Sequence, residues 1–143
     1  MLEEYLLRLL DQEMQNRFPN FICVGAQKAA TTTLHNILNQ FSNIFLPNPK
    51  ETKFFHRDHL FKKGKEFYSQ NFFSKVKNEE IIGEIDPEYL YFDFIPKRIY
   101  NTLGKDIKLI FILRNPVDRA YSHYLMSRKR GYDLLTFEEA IRN

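Results

Sequence analysis

A single cysteine, Cys23, in a chain of 143 residues excludes an internal disulfide framework and a cysteine-rich zinc site. It sits in the apolar run Phe21-Ile22-Cys23-Val24, where a buried and inert thiol is expected. No cluster of His, Cys or carboxylate residues has metal-ligand spacing, so no metal is expected. No apolar run approaches membrane-spanning length. The first residues are not expected to be a secretory leader: Met1 to Arg17 mixes Leu with Glu3, Glu4, Arg8, Asp11 and Glu13, without a basic start and an apolar stretch behind it. A cytoplasmic address with no membrane partner is the expectation. A strong excess of one charge is also lacking. The net charge of +3 suits a local anion site and argues against broad nucleic-acid binding.

What is present describes one globular domain. Hydrophobic residues make up 43% and charged residues 27%, a soluble composition with enough apolar side chains for a single core. Aromatics reach 15%, mostly Phe, which implies either a well-filled core or a sticky surface that further polypeptide would cover.

Leu2, Leu6, Leu9, Leu10 and Met14 follow helical spacing and predict an amphipathic helix over 2–16, set apart as an N-terminal segment 1–18 by Pro19-Asn20. The remainder, 19–143, reads as one domain. Phe21 to Val24 predicts a buried strand running through Gly25 into a loop and then a helix from Thr31. Ile44 to Leu46 has a short strand pattern, 64–73 is helical, and Ile81 to Ile85 is a strand ending at Asp86-Pro87. A helix over 94–103 has Pro96 in its first turn and stops at Gly104. Ile107 to Leu113 is the strongest strand, followed by a helix from Pro116 to about Arg130. Thr136 and Glu139 form a capping box for a last helix, inside which the chain is expected to end. Apolar strands alternating with helices predict an α/β fold: a parallel β-sheet flanked by helices, with ligands at the carboxyl ends of the strands.

The loop Gly25-Ala26-Gln27-Lys28-Ala29-Ala30 and the hydroxyls Thr31, Thr32 and Thr33 have the parts of a phosphate site. These parts are helix-start amides, the favourable end of a helix dipole, a cation and hydroxyl donors. The same pattern equally fits an ordinary strand-to-helix turn with a solvated Lys. It is not the nucleoside-triphosphate loop, because two alanines separate Lys28 from Thr31. Arg114, at a strand's carboxyl end, can hold a phosphate bidentately, and Ser122 lies about two helical turns on. The competing reading is a structural pair between Arg114 and Asp118. Lys50 and Glu51 read by themselves as a surface charge pair before the core aromatics Phe54-Phe55, with His56, a lone histidine, as another group able to accept a proton. The basic runs Lys62-Lys63-Gly64-Lys65 and Arg128-Lys129-Arg130 read as solvated faces, with the guiding of an acidic acceptor as the alternative for the second.

Together these segments resemble the PAPS-dependent sulfotransferases, PAPS being 3′-phosphoadenosine 5′-phosphosulfate. Gly25 to Leu34 is similar to the family's 5′-phosphosulfate loop, Gly-x-x-Lys-x-Gly-Thr-Thr-x-Leu, with Ala30 where Gly is usual. Leu109 to Ser122 resembles the 3′-phosphate segment. Lys50-Glu51-Thr52-Lys53-Phe54-Phe55 resembles the Lys-Glu-x-x-Phe-Phe segment of glycan-type members, whose Glu is the catalytic base. Gly83 to Leu90 resembles the Gly-Glu-x-Ser/Thr-Pro-x-Tyr strand end. Heparan-type members carry a substrate-contacting Lys where this chain has Ile85, which leans toward a bacterial-type member. Glu84 and Asp86 are either structural or acceptor-lining.

The resemblance covers about residues 20 to 130 and implies a P-loop-like nucleotide-binding core. It implies PAPS as sulfuryl donor and an acceptor hydroxyl or amine on a glycan or small molecule. The implied donor-binding residues are Gly25, Lys28, Ala29, Ala30, Thr31, Thr32, Thr33, Arg114 and Ser122, with Lys28 and Glu51 as catalytic residues. Members of this family continue past this length with a final strand and a loop that closes over the adenosine. The domain is therefore expected to be incomplete at its C-terminus, with an open apolar edge and a tendency to self-associate. Two other classes stay open: a truncated sulfotransferase that binds without turnover, and a nucleotide kinase, which would need magnesium and a Lys-Ser/Thr loop.

Overall fold

The computed structural model describes residues 1–6 and 17–142. Residues 2–6 are helical, and the rest of the expected N-terminal helix, 7–16, lies outside the described residues. Among the described residues, four strands form one parallel sheet: β1 (Phe21–Gly25), β2 (Ile44–Phe45), β3 (Ile81–Ile85) and β4 (Lys108–Phe111), in the order β2-β3-β1-β4. Parallel neighbours need crossovers, and helices supply them. They are α1 (Thr31–Leu38), α2 (Asp58–Phe61), α3 (Gly64–Phe72) and α4 (Ile95–Leu103). Beyond β4 follow α5 (Pro116–Lys129) and α6 (Phe137–Ala140). This is the α/β sheet flanked by helices that the alternation predicts.

β1 is central because all five of its residues are buried, Cys23 among them. Its register sets Phe21 beside Gly83 and Lys108, and Cys23 beside Ile85 and Ile110. Glycine at 83 follows from that pairing: a Cβ there would stand 2.0 Å from Cζ of the Phe21 ring. The carboxyl ends of β1, β3 and β4 therefore lie side by side and deliver their loops to one rim.

The core is aromatic. Phe54, Phe55, Tyr68 and Phe73 are fully buried, with Tyr89 nearly so. Phe54 stacks on Tyr68 at 4.3 Å, and Phe55 meets Tyr68 and Tyr89 edge-on at 5.3 and 5.5 Å. These contacts anchor the segment that carries Glu51 to α3 and to the end of β3.

Two boundaries differ from the sequence pattern. β4 spans only Lys108–Phe111, because after Phe111 a single pair of bonds (Ala26 N–H to Ile112 O and Ile112 N–H to Gly25 O) continues the pairing at the start of the loop. The last helix has the expected capping box, but it ends at Ala140, ahead of the end of the chain. β4 is an edge strand. Leu109, Phe111 and, just beyond it, Leu113 are 43%, 54% and 75% exposed, which is the open apolar edge anticipated from the sequence.

Candidate functional site

Two clefts open side by side where the strands end. The first, about 960 Å³, is lined by the β1–α1 loop (Gln27, Lys28, Ala30, Thr31, Thr32) and by Glu51 and Lys53 from the segment before α2. Pro87 and Glu88 after β3 add to it, as do Arg114 after β4 and Ser122, Leu125, Met126, Lys129 and Arg130 at α5. The second, about 860 Å³, shares Gln27, Pro87, Glu88 and Arg114 with the first. Its further walls are largely apolar, with Leu90, Tyr91, Phe92, Leu113 and Phe137, together with Arg119, His123 and Asp133.

The β1–α1 loop turns through left-handed backbone at Lys28 (φ 66°) and Ala30 (φ 67°). Such turns gather successive amides into anion-binding concavities. Ala30 is the N-cap of α1 and gives no side-chain cap, so the first-turn amides are left for an incoming acceptor of hydrogen bonds. A left-handed conformation costs a residue with a Cβ roughly 1–2 kcal/mol. The departure at Ala30 is thus one of backbone strain. Ala30→Gly is expected to stabilise the fold by about 0.5–1 kcal/mol after the offset from glycine's freer unfolded chain. Urea unfolding of the two proteins checks this, and an unchanged or lower midpoint would contradict it.

Gly25 is fixed by its own surroundings. Its φ is 145°, and a Cβ would stand 2.9 Å from the Pro87 carbonyl oxygen and 3.1 Å from Leu90 Cβ. Gly25 and Ala29 are buried and Thr33 is exposed, and none of the three lines the first cleft. The remaining expected residues, Lys28, Ala30, Thr31, Thr32, Glu51, Arg114 and Ser122, are all brought together there.

Arg114 donates from Nη1 to the Lys28 carbonyl at 3.1 Å, so the β4 loop clasps the β1 loop across 86 residues of sequence. Its side-chain bond is to that carbonyl and not to Asp118. Asn115 caps α5 by accepting from the amides of Val117 at 2.9 Å and Asp118 at 3.4 Å, which fixes the helix start that aims Ser122.

Four cations were missed or misread from sequence: Lys50, Lys53, Lys129 and Arg130. Lys50 Nζ donates to Thr32 Oγ1 at 3.3 Å and Thr31 Oγ1 at 3.5 Å, and pairs with Glu51 Oε1 at 3.6 Å. It ties the candidate base to the helix start. Lys129 and Arg130 line the cleft, where the sequence pattern suggests a solvated face. A signal existed: Ser122, Leu125, Met126 and Lys129 fall at i, i+3, i+4 and i+7, one face of α5. Arg128 turns away and donates to Tyr124 Oη at 3.1 Å. The first cleft thus carries five cations (Lys28, Lys53, Arg114, Lys129, Arg130) against two carboxylates (Glu51, Glu88), a lining suited to an anion with several charges.

Beneath the cleft lies a buried polar network. Glu84 has no exposed surface and accepts from the hydroxyls of Thr52, Tyr68 and Tyr89, the last at 2.6 Å. Burial pushes the Glu84 carboxyl up, and those three hydroxyls pull it partly back. Asp86, also fully buried, accepts from the amides of Lys53 and Glu88 at 3.1 Å each. Burial, with the neighbouring Glu84 charge, pushes Asp86 up to about 7. Of the two readings of Glu84 and Asp86, the structure supports the structural one: they join the Glu51 segment to the end of β3 and line neither cleft. His56 has a side chain only 3% exposed and reaches neither cleft, which removes it as an alternative proton acceptor. Ile85, likewise, is fully buried.

A family model described as a sulfotransferase domain matches residues 18–142. The chain is 35% identical over 111 residues to a membrane-associated sulfotransferase of Dictyostelium discoideum, covering 76% of this chain and 23% of that protein. It is 31% identical over 132 residues to a heparan sulfate glucosamine 3-O-sulfotransferase of Homo sapiens, covering 92% of this chain and 31% of that protein. Among solved structures, a sulfotransferase from Alicyclobacillus acidocaldarius superposes with a TM-score of 0.74 at 31% identity, covering 86% of this chain and 55% of that one. The chain therefore spans less than a third of these two relatives and about half of the solved structure.

Proposed function

This chain belongs to the sulfotransferase domain family, and we propose that it binds PAPS in the first cleft and passes the sulfuryl group to a hydroxyl or amine of a glycan or small molecule. The observation that carries this reading is the convergence of two loops about 90 residues apart. Lys28, Thr31 and Thr32 share one cationic cleft with Arg114 and Ser122. The uncapped start of α1 and its threonines would hold the 5′-phosphate, and Lys28 would neutralise the charge that develops on it. Arg114 and Ser122, with Lys129 and Arg130 beside them, would hold the 3′-phosphate.

In the transfer, the acceptor oxygen or nitrogen forms its bond to sulfur as the bond from sulfur to the bridging oxygen breaks. The electron pair leaves on the 5′-phosphate, and Glu51 takes the acceptor's proton. As in phosphoryl transfer, the protein's share is positioning and charge stabilisation. The acceptor would enter through the second cleft, which meets the first at Gln27, Pro87, Glu88 and Arg114. A second reading, binding without turnover, is favoured by the open apolar edge of β4.

Thermal unfolding with product and analogue tests the donor site. 3′,5′-Adenosine bisphosphate at a hundred times its Kd should stabilise by about 2.7 kcal/mol without added metal, raising Tm by roughly 5–10 °C. AMP, which lacks the 3′-phosphate, should raise it less. Equal shifts would remove the role given to Arg114 and Ser122.

A further inference from the structure

The geometry points to Glu88 as the residue that reads the charge of the acceptor, held in position by His56 behind it; this rests on the donor and acceptor reading of the two clefts. Glu88 lines both clefts, and of the four residues they share it alone is negative. An acceptor entering through the second cleft passes it on the way to the donor.

The five cations of the first cleft favour the charged form of both its carboxylates, so what distinguishes them is how each is held. Glu51 is held by Lys50. Glu88 is positioned by His56, whose Nε2 lies 3.2 Å from Oε2; burial pushes the imidazole below its ordinary value, so the contact is one of position and not of charge. The imidazole has no other evident task. It is stacked on Phe92 at 5.7 Å and lies edge-on to Tyr89 at 5.9 Å. Its other nitrogen, Nδ1, stays 3.8 Å from Asp86 Oδ2, so Glu88 is its nearer carboxylate. The backbone of Glu88 is held as well, its amide donating to Asp86 Oδ1. The carboxylate is thus fixed at both ends, with 31% of its side chain exposed.

So fixed, it accepts a hydrogen bond from a hydroxyl or an ammonium group and repels a carboxylate or sulfate. Arg119 and Asp133, elsewhere in the second cleft, are of opposite charge and offset each other; with the apolar walls at Leu90, Tyr91, Phe92 and Leu113, Glu88 therefore selects an acceptor that is neutral or cationic near its reacting group. Polyanionic chains are selected against. Glu88 would touch the acceptor, and His56 is a positioning residue that acts through it.

Three phenols of one shape and different charge test this: tyramine, 4-hydroxyphenylacetamide and 4-hydroxyphenylacetate. Their binding is measured calorimetrically at low salt on the chain saturated with 3′,5′-adenosine bisphosphate. Tyramine should bind about fivefold more tightly than 4-hydroxyphenylacetate, with the amide between them. Glu88→Gln should narrow that ratio to less than about twofold. His56→Gln should narrow it part-way, whereas a purely structural role would weaken all three phenols together and leave the ratio unchanged. Equal or tighter binding of the acetate, a ratio that survives Glu88→Gln, or no phenol binding to the loaded chain would overturn the inference. Failure of the bisphosphate to bind at the loading step would overturn the donor reading instead.

Discussion

Glu51→Gln is expected to lower sulfuryl transfer about 10²–10⁴-fold, the usual loss when a positioned base is removed. Donor affinity should stay within a few-fold. Glutamine keeps the shape and can still hydrogen-bond to Lys50, so the Lys50 bridge to Thr31 and Thr32 survives the change. Lys28→Ala should depress both turnover and donor affinity, because it removes a charge from the wall of the cleft itself. The readout is conversion of PAPS to 3′,5′-adenosine bisphosphate with a mixed set of hydroxyl and amine acceptors. Turnover in Glu51→Gln equal to that of the parent would take the base role away from Glu51. It would not pass to His56, which is shut off from both clefts.

The largest loss of stability is expected from Phe55→Ala. Phe55 is fully buried, edge-on to Phe54, Tyr68 and Tyr89, and its amide donates to Tyr89 Oη at 3.3 Å. Phe→Ala in such a site costs about 3–5 kcal/mol, a large part of a domain's 5–15 kcal/mol. The loss should carry a functional penalty, since the same ring holds the Glu51 segment against the Thr52-Glu84-Tyr89 network. Urea unfolding gives the measurement, with Tyr91→Ala as control. Tyr91 is 84% exposed and should change stability by less than about 0.5 kcal/mol. A loss below about 1 kcal/mol for Phe55→Ala would mean that this core is looser than its contacts imply.

Much of the fold was legible because its signals are local. The Phe21–Gly25 strand, the Thr31 helix start, the Pro96 and Pro116 first turns and the Thr136–Glu139 box depend on residues within one or two turns of each other. The strand order is not local. Nothing in the chain announces that β1 lies between β3 and β4, because that is decided by which faces are buried together. The site divides along the same line. Lys28, Glu51 and Arg114 stand in recognisable segments, whereas Lys50 gains its role only when the chain brings Thr31 and Thr32 within reach. Glu84 was ambiguous for the same reason: its hydroxyl partners Thr52 and Tyr68 are 32 and 16 residues away. Glu88 could not be singled out because its meaning comes from lying at the meeting of two clefts.

The central claim is that the β1 loop and the β4 loop hold the two phosphates of one nucleotide. Amide chemical-shift mapping during titration with 3′,5′-adenosine bisphosphate tests it most directly. The predicted result is one saturating set of shifts centred on Lys28 to Thr32 and on Arg114 to Ser122, with the second group lost in Arg114→Ala. Shifts confined to one of the two segments, or centred elsewhere on the sheet, would contradict it.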